Sequence, residues 1–233
     1  MTDEKALIKT NVPSHLAQYA GSTEGTDHMS REDLKLPRLA IAQKMSPQLD
    51  EQDGKYVEGL KFLDLFNDLT GQIYGKGPIR FSVARADAPR AVEFAKDGSV
   101  VDFDVPLTDP RVEFFTDQDG KRQKPLATKF YDYVVILWES NEVLALSLKG
   151  TGIRAAVLLN SLIKLRAAPV WTGVYELAVG RKEGAEGTYG VHQFRNAGFV
   201  SEDEAVFAKQ MFETLKDRKL VVEREHVDKD VPF

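Results

Sequence analysis

Cysteine is absent from the 233 residues. Disulfides, thiolate metal ligands, Fe–S clusters and a cysteine nucleophile are thereby excluded, and the composition suits a reducing cytoplasm. Histidine is scarce. His15, His28, His192 and His226 stand far apart, none with a second histidine at i+3 or i+4, so no metal site is expected. Long apolar runs are also missing: nothing approaches the roughly 18 residues that span a bilayer. The opening MTDEKALIKTNVP lacks the basic-then-apolar order of a secretory signal. A soluble, cytoplasmic protein without membrane contact is expected. No repeat recurs at the roughly 20–50-residue periods of solenoids and propellers.

What is present is enough for a core, since 42% of residues are hydrophobic. The formal charge of -5 offers no general reason to expect a nucleic-acid partner, but the charge is unevenly placed. Residues 1–75 hold 8 bases and 12 acids, residues 76–200 hold 17 and 15, and residues 201–233 hold 6 and 9. The middle is basic between acidic ends. Within it, residues 121–166 carry eight bases against the acids Asp132, Glu139 and Glu142, a local excess able to hold an anion.

Four segments are expected: a polar arm at 1–33 with at most a short helix near Ser14–Tyr19, an extension at 34–75 packed on the core, a main domain at 76–219, and an acidic tail at 220–233. The main domain reads as strands at 79–85, 99–105, 111–115, 129–139 and 142–149, rich in β-branched and aromatic residues. Turns at 117–121, through Asp119-Gly120, and at 139–142 separate the later ones. Helical spacing of Ile153, Val157, Leu158, Leu162 and Leu165 predicts a helix over 150–166, stopped by Pro169. Strands at 170–180 and 187–196 form a closing hairpin. Ser201 with Glu204 makes a capping box that opens a last helix, running to about Lys219. The fold class is therefore mainly β with helices (α+β). The element order is that of an OB-like Greek-key barrel, whose helix precedes the fourth and fifth strands, with more strands between 79 and 115 than the minimal barrel needs.

Several motifs have two readings. Gly150-Thr151-Gly152-Ile153-Arg154-Ala155 is a G-x-G-x-x-A between strand and helix, as a nucleotide-binding enzyme would use. A hairpin follows the helix where a doubly wound sheet needs another crossover, so a plain turn is favoured. Gly71–Gly77 is one residue short of a phosphate loop and lacks its Ser or Thr. Asp117-Gln-Asp119-Gly120 could be half a calcium loop, but Phe115 and Leu126 stand at the first and last ligand positions. No catalytic pair is singled out, and no cofactor is expected.

Aromatic residues interleaved with bases carry more. Alternation in KFYDYVVILW puts Lys129, Tyr131 and Tyr133 on one strand face. Single-stranded nucleic acid is held by such stacking surfaces beside a positive groove. The expected phosphate-neutralising residues are Lys121, Arg122, Lys124, Lys129, Lys149 and Arg154. Tyr131, Tyr133 and Tyr175 are the expected stacking platforms.

The last residues add a partner. Asp228, Asp230, Val231, Pro232 and Phe233 present an aromatic ring beside carboxylates, which suits a basic-rimmed apolar pocket. This segment resembles the C-terminal tip of bacterial single-stranded DNA-binding proteins, over about six residues. Arg224 and Lys229 interrupt its acids, and the long Gly/Gln/Pro-rich linker of those proteins is missing. LPRLAIAQKMSP followed by LTGQIYG resembles a group of tailed-phage proteins described as binding single-stranded DNA. The resemblances imply a non-enzymatic single-stranded DNA-binding protein of a bacteriophage, serving DNA replication, recombination or repair in the host cytoplasm. They also imply that the tail recruits replication or recombination proteins; a homo-oligomer is compatible with this. The alternatives are the nucleotide-binding enzyme and a phage structural or adaptor protein.

Overall fold

The computed structural model describes Gly25, residues 36–184 and residues 187–216. Apart from Gly25, the expected arm with its short helix, residues 217–219 of the expected last helix and the tail residues Asp228, Asp230, Val231, Pro232 and Phe233 lie outside these.

One strand organises the chain. The eleven residues of β9 (Ala127–Leu137) include Val134, Val135 and Ile136, β-branched residues suited to a strand buried on both faces. It pairs antiparallel with β10 (Glu142–Lys149) along one edge. Along the other edge it pairs first with β5 (Arg90–Phe94) and then with β4 (Ile79–Ala86). Beyond β4 lies β11 (Gly173–Gly184), and beyond that β12 (Gly187–Phe199). The hairpin partner of β5 is β6 (Val100–Val105).

Setting aside β5 and β6, the strands lie in the order β10-β9-β4-β11-β12, with helix α1 (Ile153–Leu165) between β10 and β11 in the chain. That is the OB order, with the β5–β6 hairpin inserted between the first and second strands; β5 was not among the expected strands. The expected barrel is not closed. Closure would require β10 to pair with β12, and no such pairing exists among the described residues. The physical reason is that residues 37–43 occupy the seam. The Ala145 amide on β10 donates to the Pro37 carbonyl at 2.8 Å. The Gln43 side chain donates to the Gly190 carbonyl on β12 at 3.0 Å and accepts from the Gly190 amide at 2.9 Å. Gly190 must be glycine here, because a Cβ would lie 2.8 Å from Ile41 Cγ2.

Residues 37–43 are anchored by a three-stranded sheet of β1 (Leu39–Ile41), β2 (Leu65–Asn67) and β3 (Ile73–Gly75). Leu39, Ile41 and Leu65 join the main core with Phe81, Val135, Leu146, Leu159 and Phe194. A second apolar cluster lies on the opposite face of β9, where Val134 and Ile136 meet Ala208, Met211 and Leu215 of helix α2 (Glu202–Leu215). The Ser201/Glu204 capping box is formed.

Two local expectations are corrected. Residues 111–115 are not one strand: Asp109 caps a 3-10 turn at Pro110–Val112, and only Phe115–Thr116 (β7) is extended, paired with β8 (Arg122–Gln123). Proline at the turn's start leaves no amide for a strand ladder. The β11–β12 hairpin is also longer than expected, running on to Gly184 and Phe199.

Candidate nucleic-acid interface

The open seam leads into a cleft of about 130 Å³. It lies where the start of β9 meets the β5–β6 hairpin, the end of β10 and the start of α1. Its wall is aromatic. Phe94 meets Phe130 edge-on at 6.2 Å, and the Arg90 guanidinium sits 4.7 Å from the Phe130 ring centre and 5.1 Å from that of Phe103. Across Phe130 the Lys149 ammonium lies 5.7 Å from the same ring. On the opposite face of β9, outside the cleft lining, Lys129 lies 5.1 Å from the centre of Tyr131.

The charges divide into two kinds. Arg90 donates through Nε to Asp132 at 2.7 Å, and Asp132, buried in mid-strand, also accepts from the Ser147 hydroxyl. Arg38 is likewise matched by Asp68 at 2.7 Å. These two arginines hold the cleft's shape rather than offering charge to a ligand. Lys129, by contrast, forms no ion pair among the described residues.

On the seam side the cleft reaches His192, whose buried Nε2 has no hydrogen-bond partner; burial holds this imidazole down to about 4. His192 therefore stays neutral at pH 7.

Immediately before β9 in the chain stands the β7–β8 ribbon. The Asp117 carboxylate shapes its turn, accepting from the Lys121 amide at 2.8 Å, from Gln123 and from the Asp119 amide; these bonds hold it below the usual carboxylate range. The ribbon exposes Phe114 and Phe115, with the Arg122 guanidinium 4.3 Å from the Phe114 ring centre.

Of the residues picked from sequence, Lys121, Arg122 and Lys124 are exposed on or beside this ribbon, Lys129 and half-buried Tyr131 stand at the start of β9, and Lys149 lines the cleft. Arg154 is exposed one residue into α1, beyond Thr151 and Gly152, which also line the cleft. Tyr133 and Tyr175 are not platforms, and that expectation is corrected. They are 2% and 0% exposed. Tyr133 donates to Asn160 at 2.8 Å inside the barrel, and Tyr175 packs on Phe81 under Arg166. The face of β9 on which alternation grouped Lys129 with the tyrosines turns into the core beyond Tyr131. The aromatic residues missed were Phe94, Phe103, Phe114, Phe115 and Phe130. Phe94 and Phe103 are the lone aromatics of β5 and β6, Phe114 and Phe115 stand at the start of the ribbon, and Phe130 lies on the β9 face opposite Lys129 and Tyr131; the β5–β6 insertion brings Phe94, Phe103 and Phe130 together.

Gly150-Thr151-Gly152 forms a 3-10 turn into α1. Every strand pair in the large sheet is antiparallel, so the G-x-G-x-x-A has no βαβ unit around it. Among the described residues no helix is long and apolar enough to cross a membrane.

No curated protein and no solved structure matches the chain. A family model does, that of the Pam3 phage gp34-like protein, over residues 2–85 and 92–221. The break between the two blocks falls on the bend from β4 into β5, where the inserted hairpin begins. With most of its length matched, the chain belongs to the Pam3 phage gp34-like family.

Proposed function

We propose that this protein binds single-stranded DNA without sequence preference, as a non-enzymatic component of phage DNA replication, recombination or repair. The observation that carries the reading is the meeting of an aromatic wall (Phe94, Phe103, Phe130) with the Lys149 ammonium in one cleft at the end of an OB-ordered sheet, with Lys129 beside Tyr131 on the opposite face of β9. Bases would stack on the exposed edges of that wall, on Tyr131 and on the ribbon phenylalanines, at about 1–3 kcal/mol each. Lys121, Arg122, Lys124, Lys129, Lys149 and Arg154 would neutralise the phosphates between them. Duplex DNA keeps its bases stacked on one another, so the aromatic wall gives it nothing. The acidic segment around Asp228, Asp230, Val231, Pro232 and Phe233 would recruit replication or recombination proteins.

The test is fluorescence anisotropy with labelled oligo(dT) at two salt concentrations, with duplex of the same length as control. Binding that weakens steeply with salt and prefers the single strand supports the proposal. Equal affinity for duplex, or none for either, would end it.

A further inference from the structure

Helix α1 buries Ala156 and Leu159 against the core and turns its other face outward. That face is not polar. Val157, Leu158 and Leu165 are exposed on it at helical spacing, Leu165 to 84%. Arg166, the next residue, lies 4.5 Å from the Phe199 ring centre, so Phe199, 63% exposed, extends the apolar stripe past the helix end. Three cations rim the stripe: Arg154 at its start, Lys164 and Arg166 at its end. None has an ion-pair partner among the described residues, and Arg166 donates only to the neutral Gly198 carbonyl and Asn196. Between Glu142 and Glu176 the sequence contains no acid at all.

The charges choose among occupants. Two copies of α1 packed face to face would set cation against cation, whether antiparallel (Arg154 beside Lys164) or parallel. Nucleic acid would match the charge but leave three aliphatic side chains with nothing flat to stack on. An acidic segment carrying its own apolar residues satisfies both demands. The chain has one in residues 223–233, where the four acids Glu223, Glu225, Asp228 and Asp230 outnumber the bases Arg224 and Lys229 and share the segment with Val227, Val231 and Phe233. Reach is no obstacle. The 17 residues after Lys216 extend to about 55 Å at roughly 3.3 Å each. The path back along α2 and over α1 is about 40 Å at 1.5 Å per helical residue.

We propose that residues 223–233 dock on the exposed face of α1 in the same molecule, with Val231 and Phe233 on the Leu158–Leu165–Phe199 stripe and the carboxylates on Arg154, Lys164 and Arg166. A partner protein recruited through this segment must then compete with α1 for it. This docking does not depend on DNA binding, and its test contains no DNA, so the two proposals fail separately.

The test is zero-length carbodiimide crosslinking of the full chain, with the products mapped by mass spectrometry. Lys164 is expected to join Asp228 or Asp230 within the monomer. The Lys216–Glu213 ion pair on α2 is an internal control that must crosslink in every sample. Replacing exposed residues, as in L158S/L165S and separately V231S/F233S, should cut the Lys164 product about tenfold, the fold-change that about 1.4 kcal/mol of lost contact gives. Control crosslinks without any Lys164 product would overturn the proposal. So would crosslinks from 223–233 to Lys129 or Lys149 instead, or a Lys164 product confined to the dimer.

Discussion

Replacing Asp132 by alanine should damage both the fold and the cleft. Asp132 is 4% exposed, its carboxylate holds Arg90 at 2.7 Å and it accepts from Ser147. Arg90 is itself only 22% exposed and stands over Phe130 and Phe103. Removing the carboxylate leaves a guanidinium among apolar neighbours with only Asp87, already paired with Arg85, as a nearby acid; breaking a buried pair in this way typically costs about 3–5 kcal/mol. Because Arg90 can swing partly into the open cleft, the lower end, about 3 kcal/mol, is expected. D132A/R90M removes both charges and should recover at least half of that loss, since the cost lies in the orphaned charge. The measurement is urea unfolding of the wild type, D132A, R90M and the double variant, followed by tryptophan fluorescence. A loss below about 1 kcal/mol in D132A, the range of an exposed ion pair, would refute the reasoning. So would a double variant no more stable than D132A.

His192 should give the fold an acid-side weakness. Its folded value near 4 lies below the ordinary 6.5, so the unfolded chain takes up a proton first. Its contribution is whole above pH 6.5 and is lost as pH falls toward 4, by up to about 3 kcal/mol; H192Q should flatten the stability–pH curve in that window, and a parallel curve would contradict this. Y133F should cost about 1 kcal/mol through the lost bond to Asn160, yet leave oligo(dT) affinity within twofold; Y175F should leave it within twofold as well, and a larger loss in either would return those rings to the interface. K129E should weaken oligo(dT) binding and lower the salt slope by about 1, with its melting temperature unchanged; an unchanged slope removes Lys129 from the phosphate contacts. G190A should destabilise by about 1–3 kcal/mol, because its methyl group would press on Ile41 and Leu63, and a neutral result would mean that residues 37–43 are not wedged in the seam.

Local chemistry made much of the fold legible. The β9–β10 hairpin, α1 and the capped start of α2 follow from alternation, 3.6-residue spacing and Ser201/Glu204, all of which act within a few residues. The open seam did not follow, because it depends on Pro37 and Gln43 meeting Ala145 and Gly190 more than 100 residues away. The site was legible by charge and misread by face. The local excess of bases led to Lys121–Lys149. Strand alternation reports two faces without saying which is covered, so Tyr133 was assigned to solvent, whereas it is buried, and Phe130 was not singled out, whereas it forms part of the cleft wall.

Photocrosslinking of the full protein to oligo(dT) carrying 5-iododeoxyuridine, with the joined peptides identified by mass spectrometry, tests the central claim at its site. Adducts are expected on Tyr131, on the cleft phenylalanines Phe94, Phe103 and Phe130, and on Phe114 or Phe115 of the ribbon. Adducts confined to the outer face of β11 and β12, or none under conditions where anisotropy reports binding, would contradict it.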